Sequence, residues 1–175
     1  MKKLTWVLAG SVLALVMGPV GAAQTCDANK AESTPSSRFK DNGDGTVTDT
    51  RTKLTWRHCA LGMSWNGQTC EGQSASYDFV NAKIAIEELN AAGDSKHSDW
   101  RLPSRQELAS IVEARCFKPA INLDVFPYSP ESGFWTGTEV DGVIAPRVTV
   151  IHFINGGAYI ANKTQAWRVR PVVGK

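Results

Sequence analysis

The chain has 175 residues, with 19 Lys and Arg against 17 Asp and Glu. Its first 23 residues read as a signal peptide, because Lys2 and Lys3 precede an apolar run, Leu4 to Val16, and small residues follow. That run is too short to span a membrane. Removing Lys2 and Lys3 leaves 17 basic against 17 acidic residues, which excludes a general attraction to nucleic acid. We therefore predict a periplasmic or secreted bacterial protein with no membrane span after signal cleavage.

Four cysteines remain in the mature chain: Cys26, Cys59, Cys70 and Cys116. An even number in an exported chain is typical of disulfides, and four cysteines allow three pairings, among which sequence alone does not choose. Cys59 and Cys70 bracket a short glycine-rich loop, which favours a local bridge and would leave Cys26 for Cys116. A zinc site with His58 or His97 is the alternative, but the chain has no Cys-x-x-Cys pair.

Residues 24–37 are polar and predict an N-terminal arm, and residues 38–175 have the length of one domain. Within that domain, the glycine-rich sequence 41–45 predicts a turn before short strands at 46–49 and 54–56. The acidic turn also invites comparison with a calcium loop, but its glycines and carboxylates have the wrong spacing and no Glu stands at the twelfth position. We interpret it as a turn, with Asp41, Asp44 and Asp49 as weak metal candidates, and expect no cofactor.

Two amphipathic helices are predicted in the middle of the domain. The first covers residues 76–90, with Ser74 or Ser76 as its cap and Gly93 just beyond its end. The second follows Ser104, which forms a capping box with Glu107, and ends near residue 114.

The C-terminal third predicts antiparallel strands at 134–138, 147–154, 158–160 and 166–173, with a hairpin turn at Asn155-Gly156. Strands at both ends and two helices between them indicate an α+β domain, stapled by two disulfides.

Several motifs follow one another in an order that is distinctive. They are Arg38-Phe39, Asp41 to Asp49 (DNGDGTVTD), Leu54-Thr55-Trp56, Trp100-Arg101-Leu102-Pro103, Glu107-Leu108, Ile111-Val112 and Phe134-Trp135. In these motifs residues 38–173 resemble the Lcl C-terminal domain family, a domain of unknown function that ends a bacterial collagen-like adhesin. The resemblance implies a C-type-lectin-like fold. One departure is Lys53, which stands where the family pattern has Gly. We therefore expect the turn between the two strands to be less tight in this chain.

The resemblance further implies binding outside the cell, to sulfated or other surface polysaccharide, as an adhesin does. True C-type lectins bind sugar through calcium at Glu-Pro-Asn or Gln-Pro-Asp with Trp-Asn-Asp. This chain has only Ser129-Pro130-Glu131 and Trp65-Asn66-Gly67 at the comparable places. We therefore do not predict that calcium site.

Basic residues of the C-terminal strands are the predicted ligand contacts, since guanidinium and ammonium groups bind sulfate and carboxylate. They are Arg147, Lys163, Arg168 and Arg170. Trp135 and Trp65 are the aromatic candidates for stacking on a sugar. The alternative for the basic residues is a solvated strand face, and for the tryptophans a place in the core.

Two other functional classes are compatible with parts of the sequence. A structural or assembly subunit of the bacterial envelope or a surface appendage would have an extracellular or envelope protein as its partner. The sequence Arg101-Leu102-Pro103 is also similar to formylglycine-generating enzymes, but those depend on reactive cysteines, and here all four are expected in disulfides. The chain has no hydrolase, metalloprotease or phosphate-loop motif. We predict a non-catalytic binding protein.

Overall fold

The computed structural model describes residues 23–93, 96–141 and 145–174, so all of the predicted signal peptide but Ala23 lies outside the described residues. Within these ranges the fold is mixed α+β, with two α-helices and antiparallel sheets, as the sequence predicts. No helix in these ranges has the length and apolar character needed to cross a membrane.

The chain forms eleven described strands, two α-helices and a short 3-10 helix at Ser36–Arg38. The strands are β1 Thr25–Cys26, β2 Phe39–Asp41, β3 Thr46–Asp49, β4 Thr55–Arg57, β5 Ser64–Trp65, β6 Cys70–Glu71, β7 Cys116–Phe117, β8 Gly133–Val140, β9 Arg147–His152, β10 Gly157–Asn162 and β11 Val172–Val173. The helices are α1 Phe79–Ala92 and α2 Arg105–Ser110.

A four-stranded sheet in the order β11-β4-β3-β2 joins the two ends of the domain. The turn between β3 and β4 is closed by the Lys53 amide, which donates to the Asp49 carbonyl at 2.8 Å. Lys53 has φ +63°, a left-handed conformation that glycine adopts without strain. Lys53 thus adopts a backbone conformation typical of glycine, and the turn is closed by a hydrogen bond of ordinary length.

The C-terminal meander, β10-β9-β8, lies between two cores. Neighbouring residues on a strand point to opposite faces, so the paired residues Phe134 and Ile151 enter one core while Trp135 and Val150 enter the other. The first core contains Leu108 of α2 and the inward-facing side chains of the four-stranded sheet. The second contains the buried stripe of α1.

Both helices occur near their predicted positions, with different ends. Asp78, not Ser74 or Ser76, caps α1 by accepting a hydrogen bond from the Asn81 amide at 2.8 Å, while Gly93 ends it in the left-handed conformation as predicted. The predicted capping box of Ser104 and Glu107 is present. Helix α2 stops at Ser110 rather than near residue 114, because the chain then turns and the Glu113 amide donates to Ala120.

The last predicted strand is shorter than expected, since only Val172–Val173 pairs in a ladder, with β4. The extended segment before it makes single bridges, Trp167 with Tyr77 and Arg168 with Phe134. Both disulfides are present in the pairing that the loop spacing favours, Cys59–Cys70 and Cys26–Cys116. The second bridge joins β1 to β7, which form a small sheet of their own.

Candidate functional site

Arg170 and Trp135, two of the predicted ligand contacts, are fully buried. Arg170 donates to the carbonyls of Arg57 (2.9 Å) and His58 and to Ser129 Oγ (2.7 Å). Burial lowers the pKa of Arg170 to about 9. Its acceptors in the described chain are neutral oxygens, and its guanidinium carbon lies 4.8 Å from the centre of the Phe126 ring. Arg170 is therefore placed to connect β4 to the loop at Ser129, and it does not face solvent.

Trp135 packs in the second core, where its ring centre lies 5.4 Å from that of Phe79. Its indole nitrogen donates to the Tyr77 carbonyl at 2.7 Å. The polar atom of this side chain thus has a partner inside the protein, and the ring has no solvent-facing surface on which a sugar could stack.

The other three basic candidates do not form one exposed cluster. Lys163 Nζ makes a 2.8 Å ion pair with Glu139, and Arg168 is half-buried and donates to the Ser74 carbonyl. Arg147 is exposed at the first position of β9. Of the four basic candidates, Arg147 alone is therefore exposed and makes no ion pair within the described residues.

The three metal candidates, Asp41, Asp44 and Asp49, each accept hydrogen bonds from different partners. The Arg38 guanidinium makes two hydrogen bonds to Asp49, which is fully buried. Asp41 accepts from the Gly43 amide at 2.9 Å, and Asp44 accepts from the Thr46 amide at 3.2 Å, as turn carboxylates do. Across the described residues no group of three or more His, Cys, Asp or Glu side chains is placed to hold a metal ion.

A different feature brings several functional side chains together: the loop closed by Cys59–Cys70. Strands β5 and β6 pair within this loop, and Trp65 is the direct partner of Cys70 in the ladder. The disulfide and the ladder therefore both restrict Trp65. The Trp65 ring stacks on buried His58 with centroids 4.3 Å apart and planes 13° apart. On His58, Nδ1 lies 2.6 Å from the Val125 carbonyl oxygen and Nε2 lies 3.4 Å from Asp41.

Gly45 makes room for Trp65. A Cβ built on Gly45 would lie 3.3 Å from both Cβ and Cδ1 of Trp65, and Gly45 has φ +82°. An L-residue would be strained there and would also press on the indole. The glycine turn that follows β2 is thus shaped to receive this tryptophan.

Two cavities meet at Trp65, and we call them together the Trp65 groove. One has a volume of about 650 Å³ and the other about 280 Å³. The larger is lined by the 43–46 turn, Arg57, Leu89 and loop residues 61–65. The smaller is lined by Ser36, Phe39, Asp41, Val47, His58, Trp65, Gly67, Gln68, Asp124 and Val125. Both are open to solvent, and their combined size suits one or two sugar rings.

Carboxylates dominate the charged lining of the Trp65 groove. Asp41, Asp44 and Asp124 contribute three, and Arg57 contributes a cation to the larger cavity. The hydrogen bond from the Gly43 amide, followed by that from His58, lowers the pKa of Asp41 despite the opposing effect of burial. Asp41 is therefore ionised at neutral pH, and the groove offers hydrogen-bond acceptors to a ligand.

The sequence pointed to Trp65 but not to the group around it. Asp41, His58 and Asp124 are far apart in the chain, so no local pattern groups them. The sequence feature that pointed to this region is the pair of cysteines that closes the Trp65 loop. These observations define a small disulfide-bonded α+β domain with an open groove beside a loop-borne tryptophan.

The profile of the Lcl C-terminal domain family matches residues 45–173, and the chain belongs to this family. The family resemblance seen in the motifs is thereby confirmed. A search of curated proteins finds no match to this sequence.

Proposed function

We propose that this protein is an exported, non-catalytic module that binds a surface polysaccharide in the Trp65 groove. The observation that carries the proposal is the position of Trp65, half-exposed between two cavities and held by a disulfide-closed loop, by His58 and by Gly45. Ligand sites that are formed before binding lose less conformational entropy when the ligand arrives. The arrangement supports recognition of a ligand rather than a structural role for this ring alone.

The lining of the groove suits the chemistry of a sugar. The apolar face of a pyranose packs against aromatic rings, and its hydroxyl groups donate to carboxylates and amides. Trp65 offers the ring, Asp41 and Asp44 offer carboxylates, and Gln68 offers an amide. An apolar platform with a few convergent polar groups is the usual composition of a small-molecule site.

The charge of the groove favours uncharged or amine-bearing sugars over sulfated ones. Juxtaposed like charges cost free energy, and three carboxylates line the groove. The basic residues that were predicted to bind sulfate are buried, ion-paired or isolated in the structure. We therefore propose a polysaccharide without sulfate groups as the ligand.

Export and a C-type-lectin-like fold are part of the same proposal. Two disulfides are what a small domain of an oxidising compartment is expected to carry, and they support a periplasmic or extracellular location. The lectin-like fold is supported by membership of the family and by the four-stranded sheet, in which β11 from the end of the domain pairs with β4 near its start.

A glycan array probed with the mature chain tests the proposal, with Trp65→Ala and Tyr128→Ala as paired variants. Tyr128 is 62% exposed and lies outside the Trp65 groove, so its removal controls for the loss of an exposed aromatic ring. We expect Trp65→Ala to weaken binding about tenfold, the equivalent of ~1.4 kcal/mol. Equal losses in both variants, or binding that depends on Arg147 instead, would contradict the proposed site.

One observation favours a second candidate function, that of a structural subunit. Strand β10 exposes Tyr159 and Ile160, two large apolar side chains in sequence. Co-purification of a defined envelope complex from cells, together with an absence of glycan binding, would favour this function over the first.

A further inference from the structure

Strand β10 lies at the open edge of the meander. It pairs with β9 along its whole length, from Gly157 with His152 to Asn162 with Arg147. No strand in the described ranges pairs with its other side. An edge strand presents unpaired amide and carbonyl groups to any chain that can lie alongside it.

This edge is closed at one end, where the Asn162 amide donates to Gln165 Oε1 at 2.9 Å and the Asn162 carbonyl accepts from the Gln165 amide at 3.0 Å. The side chains of β10 before Asn162 do not protect it. Its sequence, Gly-Ala-Tyr-Ile-Ala-Asn, contains no charged residue and no proline. Tyr159 is 48% exposed and Ile160 is 56% exposed. Natural proteins usually place Lys, Pro or a bulge on an edge of this length, because such features prevent strand pairing between molecules.

The other edge of the meander and both edges of the four-stranded sheet are closed or charged in ways that β10 is not. The outer side of β8 is covered by the Arg168 segment, where the Trp135 amide donates to the Arg168 carbonyl at 2.9 Å. Val172 of β11 exchanges two backbone hydrogen bonds with Arg101, at 3.0 and 3.1 Å. Strand β2 has three residues, two of which are the charged Lys40 and Asp41. Among the edges of these two sheets, that of β10 is thus the uncharged one left open in the described residues.

We propose that β10 pairs antiparallel with β10 of a second copy of this chain, across a two-fold axis. The two meanders then form one continuous six-stranded sheet. The proposal goes beyond glycan binding and does not depend on it, since β10 contributes no lining residue to the Trp65 groove.

The charges around the strand argue for a second copy as its partner. An antiparallel two-fold places an uncharged strand against an uncharged strand, so no like charges oppose each other within the ladder. Lys163 follows the strand, and its ammonium is already compensated by Glu139 at 2.8 Å within the same copy. A strongly charged peptide would find no complementary charge on β10 itself.

The size of the contact sets the strength of the association. A strand of six residues, whose last residue already bonds Gln165 of its own chain, buries a small area, and interfaces of that size are typically weak and reversible. A dimer would nevertheless present two Trp65 grooves, and two linked sites on a repeating polymer bind more tightly than one. Because the contact itself is weak, we expect the dimer to form at high local concentration.

Sedimentation velocity of the mature chain over a dilution series tests the proposal, with Ile160→Lys and Val80→Lys as matched variants. Val80 is 58% exposed on α1, so its replacement adds the same charge at a site of equal exposure outside the sheet. We expect a monomer–dimer equilibrium in the wild type and in Val80→Lys, and at least a tenfold weaker dimer in Ile160→Lys. Hydrogen exchange at β10 amides should slow with concentration in the wild type.

A wild-type chain that remains monomeric up to about 1 mM would overturn the proposal. A monomer whose β10 instead pairs with a peptide from another protein would overturn it too. A dimer that persists unchanged in Ile160→Lys, or whose formation leaves exchange at β10 unaltered, would overturn it as well. Circular dichroism confirms that each variant is folded before it is compared. Glycan binding is measured separately, so failure of either proposal is recognised without reference to the other.

Discussion

At the scale of single residues, Arg38 and Asp49 form a buried ion pair at the edge of the four-stranded sheet. Asp49 is fully buried and accepts from Arg38, from the Arg51 amide at 2.9 Å and from Thr52 Oγ1 at 2.7 Å. Burial by itself would raise the pKa of Asp49, but these hydrogen bonds, led by Arg38, outweigh it and hold the pKa below its ordinary value.

A carboxylate with a lowered folded-state pKa stabilises the protein above its unfolded pKa, near 3.9 for Asp, and loses that contribution as the pH falls through its folded pKa. We expect Asp49→Asn to cost about 3 kcal/mol or more at pH 7, because it leaves the Arg38 charge buried without a partner. Below pH 4 the gap between wild type and variant should narrow. Urea unfolding from pH 7 to pH 2.5 measures it, with exposed Asp124→Asn as the control. A gap that is independent of pH would contradict this account.

Lys53 gives a prediction of the opposite sign. Its left-handed φ costs a non-glycine residue about 1–2 kcal/mol, and its side chain is exposed, so little packing is lost with it. Glycine would remove that strain but adds about 0.5–1 kcal/mol of unfolded-state entropy. We expect Lys53→Gly to raise the free energy of unfolding by roughly 0.5–1 kcal/mol in chemical denaturation. Lys53→Ala keeps Cβ and should give no such gain. A stabilised Lys53→Ala would show that side-chain charge, and not backbone strain, is responsible.

At the scale of elements, the two disulfides have different functions. Cys26–Cys116 closes a long segment, with a sequence separation of 90, whereas Cys59–Cys70 has a separation of 11 and holds the Trp65 loop. The chain-entropy estimate is about 4–5 kcal/mol for the longer loop and about 3 kcal/mol for the shorter one. Loss of Cys26–Cys116 should therefore reduce stability more, whereas loss of Cys59–Cys70 should reduce ligand binding more.

Paired alanine variants test this order. We expect Cys26→Ala with Cys116→Ala to lose more stability but to keep glycan affinity under conditions where it is folded. Cys59→Ala with Cys70→Ala should lose less stability but bind at least about tenfold more weakly, because Trp65 is then no longer held in place. Denaturation and glycan titration of both variants measure the two quantities. Loss of affinity in the first pair alone would place the ligand away from the Trp65 loop.

The sequence predicted these elements better than their ends. The capping box at Ser104 and the glycine stop at Gly93 depend on local chemistry that sequence displays directly. The short spacing of Cys59 and Cys70 favoured, without deciding, the disulfide pairing that the structure has. The early end of α2 depends on the Glu113 amide bonding to Ala120, a contact made only in the folded chain. The last strand shortened for a similar reason, since its first half pairs with Tyr77 rather than with a ladder.

At the scale of the whole molecule, the site itself could not be predicted from the sequence. The sequence predicts Arg168 and Arg170 as ligand contacts, but their segment lies between the meander and the cysteine-closed loop, so both of its faces contact protein. The Trp65 groove arises where three distant stretches meet, as the 2.6 Å contact between His58 Nδ1 and the Val125 carbonyl shows. Tertiary packing, not local pattern, decides which candidates face solvent.

The measurement that tests the central claim most directly is a ¹⁵N NMR titration of the tryptophan indole groups with an oligosaccharide selected by the glycan array. The mature chain has five such groups, on Trp56, Trp65, Trp100, Trp135 and Trp167. We predict that the Trp65 indole signal shifts most with ligand and that those of buried Trp56 and Trp135 stay in place, with Trp65→Phe assigning the signal. A titration that shifts other indoles and leaves Trp65 unmoved would contradict binding in the Trp65 groove.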